Sequence, residues 1–301
     1  MRSVWYALHH APGRRGLAGL TLAAVGLGAL ATGATSRTVS PRHSGDVVVL
    51  SAGSLDTLMT RVVGPAFHRA TGYTLVNTAG GSSTLAADIR NRVYAADVFI
   101  SASPAVNASL EGARNGGWVS WYADFAASPY VLGYYPGSRF AHDLRTRPWY
   151  EVITKPGFRL GRTDPLQDPG GLLAIRALDQ TARARHLPAL RRLAGESSDV
   201  YSETTEQSGI ENGQLDAAFM YEADANSQHS PFVPLSGVRL AGDYTLTLLN
   251  HAPHTAAGEA FIRFLLGPEG RREMRGYHFQ IIAPAKLSGS GLPGALRGAL
   301  K

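Results

Sequence analysis

Apolar and polar positions along this chain switch repeatedly between a strand period and a helix period. Residues 47–50 are a continuous apolar run of the buried-strand type. Leu55, Leu58, Met59, Val62, Val63, Ala66 and Phe67 then recur at helical spacing. Pro65 is expected to kink that helix and Gly72 to end it. Residues 73–77 read as a second strand. Gly80-Gly81-Ser82-Ser83 opens a helix with Leu85, Ala86 and Ile89 inside, and 97–101 is a third strand. This βαβαβ order predicts an α/β fold with mostly parallel sheets and right-handed crossovers. Beyond it, strands are expected at 130–136, 158–161, 216–221 and 244–250. Helices are expected at 147–153, from Pro169 past Arg183, at 208–214 and at 256–267.

The first 31 residues stand apart. Arg2, Arg14 and Arg15 precede an apolar, Gly- and Ala-rich run ending at Leu30, and 29-ALA-31 matches a small-residue cleavage site. This predicts a secretory signal peptide over 1–31 and an exported protein. The alternative is an uncleaved N-terminal helix that tethers it, although the run is short for a span. Residues 32–45, rich in Ser, Thr, Arg and Pro, read as a flexible tether. The leader also alters the charge. Without its three arginines, 26 of the 29 basic residues remain against 23 acidic ones. A balance near +3, with scattered arginines, does not suit a nucleic-acid partner. The chain has no cysteine, which excludes disulfides, thiolate metal sites, a cysteine nucleophile and a lipid-modified N-terminal cysteine.

The candidate chemistry lies at the strand-to-helix junctions. The first turn of a helix has backbone N–H groups without internal partners and carries partial positive charge. Small residues there let an anion approach, so 50-LSAGSL-55 and 77-NTAGGSSTL-85 could each cup an oxyanion, with Ser54 and Ser82 as hydroxyl donors. Each serine is equally explained as a helix N-cap. Asp168 followed by Pro169 fits N-cap then N1. It would repel an oxyanion's oxygens unless it reached a central metal atom. Tyr221, at a strand end beside Glu222 and Asp224, reads as packing or as a phenolic donor. Neither junction has a Walker lysine, and neither G-x-S-x-G nor H-E-x-x-H occurs. His251 and His254 read as exposed loop residues rather than a zinc pair. A secreted serine hydrolase with Ser54 or Ser82 as nucleophile is the competing class, although no histidine is positioned by sequence to activate either.

These segments resemble the periplasmic solute-binding proteins for molybdate and tungstate, which have the two-lobed type II binding-protein fold. The motifs are 50-LSAGSL-55, 80-GGSSTLAADI-89 with 96-ADVFISAS-103, 149-WYEVITKPGFRLGRTDPLQDPGG-171, 213-GQLDAAFMYEADA-225 and 256-AAGEAFIRFLLGPEGRREMRGYHFQIIAP-284. The third is most similar to the tungstate-binding branch. The resemblance implies a ligand cleft between lobes, with lobe 1 at 46–127 plus 236–288, lobe 2 at 128–235 and a tail at 289–301. It implies Ser54, Ser82 and Tyr221 as donors, Ser128 at the hinge as a further contact, and Asp168 as a carboxylate on molybdenum or tungsten. The tungstate branch has a glutamate where this chain has Met220. Glu222, two residues on, would share a strand face with Met220 and is the candidate substitute. The implied protein is a monomer without enzyme activity or resident cofactor, delivering its ligand to the membrane permease of an ABC importer. Sulfate, phosphate or a small organic anion on the same fold remains the alternative.

Overall fold

A computed structural model describes residues 45–301. The expected signal peptide and all but the last residue of the tether lie outside the described residues. Among the described residues there are ten strands: β1 (Asp46–Ala52), β2 (Thr74–Gly80), β3 (Val98–Ser101), β4 (Trp121–Tyr134), β5 (Leu160–Thr163), β6 (Val200–Tyr201), β7 (Ala217–Tyr221), β8 (Phe232–Pro234), β9 (Ala241–Leu248) and β10 (Gln280–Gly289). Among the described residues no helix is long and apolar enough to cross a membrane.

The strand order is β2-β1-β3-β9-β4-β7-β5-β6, with β8 and β10 also paired to β4. The expected βαβαβ unit is there: β1 pairs in parallel with both β2 and β3. The sheets as a whole are mixed rather than mostly parallel. β3–β9, β4–β9, β4–β7, β4–β8 and β4–β10 are all antiparallel. The reason is β4. Its first part, from Trp121, carries β9 and β10, and its last part, from Tyr130, carries β7 and β8. One 14-residue strand therefore belongs to both lobes of the α/β fold. Antiparallel partners need no handed crossover between them, so β7, β8, β9 and β10 can all return to this one strand. The 130–136 expectation saw only its far end. Residues 121–129 alternate buried and half-buried positions, whereas 130–134 are buried on both faces and so form the continuous apolar run that the expectation caught.

Local signals shaped the helices as physics requires. Gly72 sits in the left-handed region (φ 87°) and its N–H closes on the His68 carbonyl, ending the helix Gly64–Thr71. Pro65, expected to kink the run, follows a π turn at Met59–Val63, which gives the carbonyls near its missing donor another geometry. The helix expected at 208–214 is Glu203–Glu211 instead, because Ser202 caps it by accepting the Thr205 N–H. A principal core runs through both lobes, from Val47 and Phe67 to Trp149, Tyr244 and Phe261. Leu296 and Leu300, near the end of the chain, are buried in it.

Candidate functional site

The first junction is a 3-10 turn, Gly53–Leu55, directly after β1. Ser54 Oγ lies 2.7 Å from Tyr244 Oη on β9, so two hydroxyls share one proton bond there. At the second junction Ser82 opens the helix Ser82–Arg90 and is fully buried. Its Oγ accepts the Ala102 N–H at 3.1 Å, which orients the hydroxyl and leaves its proton uncommitted. Ser128, also fully buried, is held in the same way: its Oγ accepts the Ala223 N–H at 3.1 Å. Neither Ser54 nor Ser82 is hydrogen-bonded to a histidine.

Asp168 is the N-cap of the helix Pro169–Arg185, as its position before Pro169 predicts. Its Oδ1 accepts from Gly170 N at 2.7 Å and from Thr163 Oγ1 at 3.1 Å. The Ser82 N–H faces the carboxylate and favours its charged form. The next two N–H groups of that helix, on Ser83 and Thr84, both donate to the Gln167 carbonyl, at 3.1 and 3.3 Å. The second junction's N–H groups thus meet this protein's own oxygens. The contact is tight at Gly81, where a Cβ would lie 2.5 Å from the Gln167 carbonyl oxygen. Gly81→Ala should therefore destabilise the fold by about 1–3 kcal/mol through overpacking. Gly195→Ala, where a Cβ meets nothing within 4 Å, should be near neutral. Urea unfolding of the two variants checks this, and equal midpoints would refute it.

Tyr221 ends β7 and is 4% exposed, and its Oη has no hydrogen-bond partner. Its ring packs edge-on between Tyr130 and Tyr244, at 5.2 and 5.8 Å. It fits there because residue 242 is glycine: a Cβ would come within 2.5 Å of the Tyr221 ring. Tyr130 Oη is spent on the Gly170 carbonyl at 2.7 Å. The Tyr221 phenol is therefore an oriented donor with nothing to donate to. Burial, with the charge of Asp168 next, raises its pKa well above 10, so it keeps its proton.

Around these hydroxyls stand acids that a linear reading treats as surface residues. Glu203 and Glu206, on the helix Glu203–Glu211, and Asp224, on the helix Glu222–Ser227, join Asp168. Burial is the leading cause in each case. It pushes Asp224 up to about 8 and Glu203 and Glu206 well above the usual range, and each carboxylate raises its neighbours. Asp168 is raised less, because the donors on Gly170, Thr163 and Ser82 oppose burial. Arg162 is the buried cation nearby, and its charge lowers the pKa of Glu206. Its Nη2 turns instead to the Ala194 and Glu196 carbonyls.

Met220 joins Val131, Ile210 and Leu215 in a small apolar cluster. Glu222 opens a helix rather than extending β7, so the two-residue strand spacing that linked it to Met220 does not apply. The carboxylates whose charges meet Asp168 are Glu203, Glu206 and Asp224. Two spaces adjoin the site. An inner void of ≈ 10 Å³, about one water in size, is lined by Tyr221, Asp224 and Glu206 among others. An outer cavity of ≈ 340 Å³ is lined by Gly81, Thr84, Gln167 and Ser202, and Asp168 and Glu203 border both spaces. The loop histidines are structural. His254 donates its backbone N–H to the buried Asp97 carboxylate, which its Nδ1 also meets, and His251 packs edge-on to Trp118.

A family described as bacterial extracellular solute-binding protein matches residues 47–280, most of the chain. The chain belongs to this family. Its relatives include a putative ABC transporter molybdenum-binding protein of Haloferax volcanii, 30% identical over 71% of this chain and 68% of that one. A molybdate/tungstate-binding protein of Thermococcus kodakarensis is 21% identical over 60% of this chain and 66% of that one. Among solved structures, the periplasmic molybdate-binding protein of Azotobacter vinelandii superposes with a TM-score of 0.63. It is 19% identical and covers 77% of this chain and 98% of its own. At that identity the likeness concerns the fold. That fold is the two-lobed α/β type of the periplasmic binding proteins.

Proposed function

We propose that this solute-binding protein captures a tetrahedral metal oxyanion, molybdate or tungstate, outside the cytoplasm. It delivers the ion, as a monomer, to the membrane permease of an ABC importer. The observation that carries the reading is the set of buried neutral hydroxyls on Ser82, Ser128 and Tyr221, each held in place with its proton uncommitted. A dehydrated dianion needs such preorganised donors, and each bond to a charged acceptor contributes about 1.5–3 kcal/mol. The names of the Haloferax and Thermococcus relatives point to the same ligands. The acids do not oppose it: a carboxyl held protonated by burial is a donor, not a repelling charge.

In this reading Asp168 faces the metal centre, so Asp168→Ala weakens binding by tenfold or more. Titration calorimetry with molybdate, tungstate, sulfate and phosphate tests the proposal. Tight binding of the first two supports it, and binding of none of the four refutes it. A second reading, a cationic ligand, draws on the grouped acids. Among the described residues, however, no three His, Asp or Glu are arranged to hold a metal ion. Ferric ion in the same titration separates the two.

A further inference from the structure

We infer that Glu203 is a gate of the ligand site: its carboxylate sits in the Gly53 turn, where an oxyanion's oxygens would go, and must withdraw before the anion enters. This rests on the oxyanion reading above. Three observations on the structure carry it.

The first is contact. A Cβ placed on Gly53 would overlap the Glu203 carboxylate, so that carboxylate lies against the backbone of the first junction, 150 positions away in sequence. Glycine is required at 53 for the close approach, not for an unusual backbone angle. The second is surroundings. Glu203 lies among Asp56, Asp168, Glu206 and Asp224, and every one of these charges disfavours its ionised form. Its charge also reaches Tyr244, the partner of Ser54. A side chain held among four acids is not placed there for an ion pair. Its position is set by the turn it fills. The third is that the second junction is filled in the same way, by the Gln167 carbonyl on the N–H groups of Ser83 and Thr84. Oxygens from one side of the cleft therefore fill both anion cups of the other side. Tyr221 Oη, buried, unpartnered and lining the same space, shows that the cluster still has a donor to offer a ligand.

Glu203 also borders both spaces, as Asp168 and Thr163 do. Its helix follows β6, a two-residue strand at the sheet edge paired only with β5. The helix is anchored further along by the buried Glu206, Gly209 and Ile210, so the gate moves by turning the Glu203 side chain at the first position of that helix.

The test is molybdate and tungstate binding to the purified protein, wild type against Glu203→Ala and Glu203→Gln. Glu211→Gln, exposed at the far end of the same helix, is the control, and a thermal melt confirms that each variant is folded. Glu203→Ala, which empties the turn, should bind at least tenfold more tightly and associate faster in stopped flow. Glu203→Gln keeps the shape, and burial already favours the neutral carboxyl, so it should stay within threefold of wild type. The control should stay within threefold of wild type. An affinity of Glu203→Ala within threefold of wild type overturns the gate, as does weaker binding, which would make Glu203 a ligand contact. Binding by Glu203→Ala alone, with none by wild type, supports the gate in its strongest form. If neither binds any oxyanion, the functional proposal falls and the gate with it.

Discussion

Asp224→Asn should raise the melting temperature of this protein by several degrees at pH 8 and leave it nearly unchanged at pH 4. Burial, and the Asp168 carboxylate second, push Asp224 up to about 8 in the folded chain, against the Tyr221 backbone bond that lowers it. In the unfolded chain an aspartate titrates near ~3.9. Between those values the folded state keeps a proton that the unfolded state has released. The contribution to stability is thus complete below about pH 4 and is lost as pH rises toward 8. The Asn variant has no such loss. The difference at pH 8 has a ceiling of ~5 kcal/mol by linkage, and relaxation around the site will reduce it. Glu203 and Glu206 shift in the same direction, so the wild type itself should melt progressively lower from pH 5 to pH 8. Parallel melting curves for D224N and wild type across pH 4–9 would show that the carboxyl ionises in place without cost.

The second large effect is expected from Tyr221→Phe, and it separates function from folding. Most buried hydroxyls have a partner, so removing one costs stability. Tyr221 Oη has none, so its loss should be neutral or slightly stabilising in urea unfolding. The same change removes a donor to a dianion. Oxyanion affinity should then fall by about 10- to 150-fold, the equivalent of ~1.5–3 kcal/mol. Calorimetry beside the unfolding curve reads both quantities. Wild-type affinity in the Phe variant would remove Tyr221 from the site.

The parts of the site that were legible in the sequence are those specified over a few residues. The strand-to-helix junctions at 50–55 and 77–85 announce themselves by small residues between an apolar run and a helical stripe. Asp168 is marked by the proline after it, and Tyr221 by closing a run of buried-strand type. The less legible parts depend on which strands lie side by side. Glu203 and Glu206 read as polar positions on a short helix, and nothing local shows that they turn inward. That helix starts at Glu203 rather than at residue 208, since Ser202 caps it before the apolar pattern becomes clear. Tyr244 looks like an ordinary strand tyrosine until β9 lies between β3 and β4 and brings it to Ser54. The strand spacing that joined Glu222 to Met220 failed for a related reason. β7 stops at Tyr221, where the chain turns into a helix whose first turn is tied to Ser128.

Sequence alone determined the α/β alternation, the family and the small-residue cups, because periodicity, capping and glycine placement act within a few residues of themselves. Tertiary structure alone decided what fills those cups. β4 runs through both lobes with β7 beside it and β5 beyond β7, and that arrangement brings Asp168, Glu203 and Asp224 into one cluster, with Glu203 at its half-buried rim. There, burial rather than any neighbour in the chain sets their charge.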